Sequence, residues 1–147
     1  MKRLPIWFLL LTSAGACTTR AVVDQSQIQV APALTVERFL QAANTRDLDT
    51  MSRLFGTDDG PIRGRRQEVE LRMDLIAEIL HHTDYRIISE RRVPGADSPS
   101  IRMGVDISIV TPRGTIMVRD VGFTVVLESA NRWLVNVIEL TKITGAG

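Results

Sequence analysis

Carboxylates carry the first candidate chemistry in this sequence. Asp58 and Asp59 stand together in a segment rich in Gly and Pro, and Asp106 and Asp120 fall in strand-like apolar runs. A carboxylate withdrawn from water titrates closer to neutral pH and can then act as a general base. The competing assignment is turn chemistry for Asp58 and Asp59 and an outward strand position for Asp106. The single tyrosine, Tyr85, sits at a strand entrance, and neither histidine is placed to enter an interior site. Arg119 shares a period-two row with Met117, Val121, Phe123, Val125 and Leu127 if its strand runs without a bulge. An arginine in such a row needs a carboxylate partner or an anionic ligand. Glu139, on the row of Trp133, Val135 and Val137, can be that partner. A bulge near Asp120 or Gly122 would instead turn Arg119 outward.

The remaining polar clusters favour solvated surface. His81 and His82 are adjacent, so on a helix they do not face one direction and cannot chelate. Asp74, Glu78 and His81 share a helical face with divalent-ion ligand types. A wet polar face with His near a helix C-terminus explains the same pattern. Arg63, Arg65 and Arg66 crowd a helix start, where positive charge is unfavourable. They can pair with Asp58 and Asp59 or meet anionic lipid headgroups. No Gly-rich phosphate loop, nucleophile elbow or zinc-binding helix pattern occurs, so no metal or cofactor is expected.

Cys17, the only cysteine, carries a different chemistry. Lys2 and Arg3 open the chain, Ile6 to Leu11 form an apolar run, and Ser13 to Ala16 are small. That order describes an export leader over 1–16. The run falls well short of the ~20 residues that span a bilayer. Ala14-Gly15-Ala16 suits an ordinary signal peptidase. Ala14-Gly15-Ala16-Cys17 also resembles the lipobox of bacterial lipoproteins, although Leu is commoner than Ala14 at its first position. The lone cysteine favours lipidation at Cys17, since one unpaired thiol at a mature N-terminus is otherwise unexplained. Acyl chains then hold the domain at a membrane. Thr18, rather than Asp, in the second mature position implies the outer membrane, facing the periplasm, in a Gram-negative cell. Residues 18–32, polar and without a helical stripe, read as a flexible tether.

Loss of Lys2 and Arg3 with the leader leaves 16 basic residues against 17 acidic. That balance argues against nucleic acid as a partner. Without a second cysteine there is no internal disulfide. About 110 residues, 34–143, suffice for one core, followed by a short tail at 144–147.

The elements that must position these groups follow from periodicity. Thr35 is a candidate N-cap for a helix with Val36, Phe39, Leu40 and Ala43 on one face. Asp47 caps a second helix, with Leu48, Met51, Leu54 and Phe55 inward and Gly56 as its stop. A loop follows to Gly64. A third helix runs from Arg66 to His82 with two stripes, Val69-Met73-Ile76-Leu80 and Leu71-Leu75-Ile79, as expected of a helix lying across a sheet. The period then changes to two. Four strands follow at about Tyr85–Val93, Ile101–Val110, Thr115–Glu128 and Trp133–Ile143, joined by short turns that make neighbours antiparallel. The expected fold is α+β, with three N-terminal helices packed on one face of a curved four-stranded sheet.

The stretch from Phe39-Leu40-Gln41-Ala42 through Asp47-Leu48-Asp49-Thr50-Met51-Ser52-Arg53-Leu54-Phe55 resembles the opening helices of nuclear transport factor 2-like (SnoaL-like) domains. The run Arg132-Trp133-Leu134-Val135-Asn136-Val137-Ile138-Glu139 is similar to their closing strand. The likeness covers about Leu34 to Ile143. It implies a cone-shaped pocket between the long helix and the sheet, often with a homodimer formed through the sheet. Enzymes of that fold that move protons use a carboxylate near the pocket mouth and a Tyr or acid deeper inside. Many members only bind. The family's short strand between the second and third helices has only Pro61-Ile62 to form it here. The expected function is binding, without catalysis, of a small apolar ligand or a protein partner. The expected cavity lining is Phe39, Met73, Ile76, Leu80 and Phe123, with Arg119 if it turns inward. The alternative is a proton-transfer isomerase or dehydratase.

Overall fold

A computed structural model describes residues 25–146. The leader, Cys17 and the first part of the tether lie outside the described residues. Helices α1 (Gln25–Asn44), α2 (Leu48–Leu54) and α3 (Arg66–Ile79) precede strands β3 (His82–Arg92), β4 (Ser100–Thr111), β5 (Gly114–Leu127) and β6 (Trp133–Ile138). Two short strands, β1 (Gly56–Thr57) and β2 (Gly60–Pro61), form a hairpin between α2 and α3. A short helix, α4 (Leu140–Thr144), closes the chain. The main sheet has the order β3-β4-β5-β6, antiparallel throughout. The fold is the expected α+β cone, with one core between the helices and one face of the sheet.

The apolar stripes explain the packing. Val36, Phe39, Leu40 and Ala43 are buried from α1, and Met73, Ile76 and Leu80 from α3 and its end. Met103, Val105, Ile107 and Ile109 of β4 meet them, alternating with outward Arg102, Asp106 and Ser108. Asp47 caps α2 as expected, its carboxylate accepting the Thr50 N–H at 3.0 Å. Register breaks in all three strand pairings bend the sheet over the helices.

Several boundaries differ from the expectation. Helix α1 begins at Gln25, so Thr35 lies inside it, donating its hydroxyl to the Trp133 carbonyl at 3.4 Å. A missing apolar stripe shows only that a segment buries little. A helix nucleated by packed residues propagates at one hydrogen bond per residue, and Pro32 forfeits one such bond. Residues 25–32, expected within a flexible tether, are therefore helical. Helix α3 stops at Ile79, and His82 opens β3 with its N–H bonded to the Asn44 side chain at 3.1 Å. Residues 140–144 coil instead of extending β6. Gly56 does not end α2; it lies in the β1–β2 hairpin, where a Cβ would collide with the Gly60 carbonyl oxygen. The short strand expected at Pro61-Ile62 is this hairpin, one residue earlier.

Candidate functional site

A cleft opens where α2 ends, bounded by the β1–β2 hairpin, α3, β6 and α4. It comprises two hollows of about 440 and 500 Å³ that share Phe55, Arg72 and Asn136. Gly56, Gly60, Pro61, Asp59 and Arg63 line the hairpin side. Leu75, Ile76 and Ile79 of α3 face Val137, Ile138 and Leu140 across the other. The second α3 stripe explains this hollow. Leu71 and Leu75 do not lie on the sheet as expected; they remain 62% and 53% exposed, and Val137 is 50% exposed. Leu75 and Val137 thus leave apolar surface exposed on facing walls of this hollow.

The walls are fixed by local chemistry. Phe55 is buried against Phe39, ring centroids 6.0 Å apart. Its carbonyl accepts the Ile62 N–H at 2.7 Å, and the residue bridges to Val135 of β6. Thr124 pairs with Val137 and Val125 with Val135, so Asn136 is the extra residue of a bulge. Freed from the ladder, its side-chain amide donates to the Gly56 carbonyl at 2.8 Å and joins β6 to the hairpin. The guanidinium carbon of Arg72 sits over the Phe55 ring, 5.2 Å from its centroid. No carboxylate among the described residues pairs with Arg72.

Of the expected lining, only Ile76 reaches this cleft. Phe39, Met73, Leu80 and Phe123 are fully buried members of one core and line neither of these hollows. Arg119 is exposed. Between the pairs Val105–Val121 and Ile107–Val118, β5 has two residues, Arg119 and Asp120, against Asp106 alone. Asp120 takes φ 49°, and its N–H is held by the Asp106 carboxylate at 3.0 Å. A single inserted residue exchanges the two faces of a strand. Val118 therefore points inward before the bulge and Val121 after it.

Glu139 does not meet Arg119. It binds Arg102 at 3.1 and 3.0 Å, on the sheet face turned away from the helices. Arg102 also reaches Asp120 at 3.2 Å, and Lys142 lies 3.1 Å from Glu139. The Arg102 hydrogen bonds hold the Glu139 carboxyl down to about 2, against desolvation, with Lys142 assisting. The same guanidinium lowers Asp120. The network lies across Gly104 and Gly122, whose missing side chains leave room for it.

The other candidates are scattered. Asp58 accepts the Ser98 hydroxyl at 2.7 Å, and Asp59 is exposed at the hairpin turn. Tyr85 is half-buried on β3, its hydroxyl pushed up by burial and then by Glu37 and Asp84. His82 is buried, with Nδ1 2.6 Å from the Leu80 carbonyl; since that oxygen only accepts, Nδ1 carries the proton. Asp74 pairs with Arg46 at 3.6 Å, and His81 is exposed. Among the described residues no group of three His, Cys, Asp or Glu is placed to hold a metal ion. Arg65 and Arg66 pair with Glu68 and Glu70 at 3.9 and 2.7 Å, not with Asp58 and Asp59. Arg72 and Asn136 escaped the sequence because their partners lie on other elements. The available signal was an arginine beside the second α3 stripe.

With that geometry in view, similarity to solved structures has a defined meaning. A protein from Catenulispora acidiphila is 13% identical and superposes with a TM-score of 0.54, covering 84% of this chain and 98% of that one. Rv3472, a Mycobacterium tuberculosis protein of unknown function, is 15% identical with a TM-score of 0.50, covering 76% of this chain and 73% of that one. No protein-family model matches the chain, and no curated protein sequence does. At such identities the likeness is one of fold. The architecture is the nuclear transport factor 2-like cone.

Proposed function

We propose that this chain is a bacterial lipoprotein of the cell envelope, anchored through Cys17, with a SnoaL-like domain that binds a small apolar ligand without transforming it. The observation that carries the binding reading is the hollow between α3 and β6, about 500 Å³ and lined mainly by apolar side chains. Ligand sites are concave, mostly apolar and of this size. The leader pattern and the single cysteine support the anchor.

Two experiments test the two halves. Cys17→Ala is expected to move the protein from the membrane fraction to the soluble fraction; retention in the membrane overturns the anchor. Native mass spectrometry of the full chain carrying Cys17→Ser is expected to show a small mass that is released on denaturation. An apo mass with a discrete dimer would favour a protein partner instead. The proton-transfer alternative has one supporting observation, Asp59 at the hairpin side of the cleft. It requires Asp59→Asn to abolish turnover while leaving ligand affinity intact. Asp120, held ionised on the opposite sheet face, does not suit that role.

A further inference from the structure

We propose that the ligand of this cleft is a single-chain amphiphile with an anionic head, received by the guanidinium of Arg72. The proposal rests on the reading of the cleft as a ligand site and adds the class of molecule. Arg72 borders both hollows and so stands at the junction of two unlike halves. One half, walled by Leu75, Ile79, Val137 and Leu140, suits an alkyl chain. The other carries a second cation, Arg63, with Asp59 as its only acidic side chain.

The state of Arg72 supplies the charge argument. The side chain rests on Phe55, a contact that uses none of its N–H donors. Neither Arg72 nor Arg63 has an ion-pair or hydrogen-bond partner among the described residues. The other arginines along this edge, Arg65 and Arg66, are matched to Glu68 and Glu70. A planar fork of donors, anchored by an aromatic ring and lacking a carboxylate, fits a carboxylate or phosphate head. Its position beside an exposed apolar strip selects a head joined to a hydrocarbon chain. A neutral apolar ligand would fill the strip and leave the guanidinium without a partner.

The test uses the full chain carrying Cys17→Ser, titrated with octanoate, octyl phosphate and 1-octanol. Calorimetry reads the affinity, and the side-chain amide NMR signal of Asn136 reports occupancy of the cleft. Both anions are expected to bind about tenfold more tightly than octanol, the worth of one charge-assisted hydrogen bond in a half-exposed site. Arg72→Gln is expected to erase that difference, and Arg72→Lys to restore part of it. Leu75→Asp is expected to weaken all three probes. The tighter of the two anions identifies the head as carboxylate or phosphate. Octanol binding as tightly as octanoate overturns the anionic head and leaves the ligand site standing. If no probe moves the Asn136 signal, or if Leu75→Asp changes nothing, the ligand site itself is overturned.

Discussion

Arg102 and Arg72 are the same side chain in opposite circumstances. Arg102 lies on the outer sheet face, its side chain 21% exposed, gripped by Glu139 and Asp120. Arg72 lies at the cleft, stacked on Phe55 and without a carboxylate among the described residues. The first has its charge matched within the fold and serves to tie β4, β5 and the start of α4 together. The second contributes a contact to Phe55 and keeps its donors available. An arginine's surroundings, rather than its presence, separate structural work from recognition.

The contrast can be broken first at Phe55. Phe55→Ala removes the ring under Arg72 and a buried part of the core, and is expected to cost about 3–5 kcal/mol in urea unfolding. Phe55→Leu keeps most of the volume. It is expected to retain the fold and lose the preference for octanoate over octanol. An unchanged preference would show that Arg72 does not need its aromatic support.

Glu139→Gln probes the matched arginine. Loss of the charge-assisted bonds to Arg102 is expected to cost about 1–2 kcal/mol, with no effect on octanoate affinity. The pH dependence has a definite sign. Glu139 titrates near 2 when folded, below the ordinary value of 4.5. Its stabilisation is therefore complete above about pH 4.5 and is lost as the pH falls toward 2. Asp120, lowered by the same guanidinium, acts in the same direction. Denaturation midpoints measured across this window should fall steeply in the parent protein and less steeply in Glu139→Gln. Equal slopes would remove Glu139 from the account.

The smallest effect is expected at Arg72 itself. Arg72→Gln should change stability by no more than about 0.5 kcal/mol, as for other exposed positions without fixed ion pairs. A loss comparable with that of Glu139→Gln would make Arg72 a structural residue and erase the contrast.

The sequence revealed the layers and concealed the cleft for one physical reason. Strict alternation in β4 and the i, i+3, i+4, i+7 stripe of α1 are local signals of burial, and both led to the right faces. The β5 bulge is set by a bond between two strands, from the Asp120 N–H to Asp106, so the sequence left Arg119 with two possible faces; the row holds from Val121 onward, and Met117 and Arg119 before the bulge turn outward. Residues 140–143 were expected to extend the last strand, but the chain coils after β6 ends at Ile138, and Leu140 and Ile143 have the i, i+3 spacing of a helical turn. Leu71 and Leu75 have the spacing of core residues, and only the placement of α3 shows that no described element covers them. Phe39, Met73, Leu80 and Phe123 were expected to line a cavity; they are buried core residues and border neither hollow of the cleft. Whether an interior is hollow depends on the three-dimensional fit of side chains, which spacing does not encode.

The early start of α1 has a consequence for reach. From Cys17 to Gln25 there are eight residue steps, a leash of at most about 28 Å even when fully drawn out. If Cys17 carries the proposed lipid, the beginning of the helix stays within roughly one bilayer thickness of the membrane. A protein on so short a leash samples the film of water next to its own membrane. On that proposal, the ligand would be met in that same film.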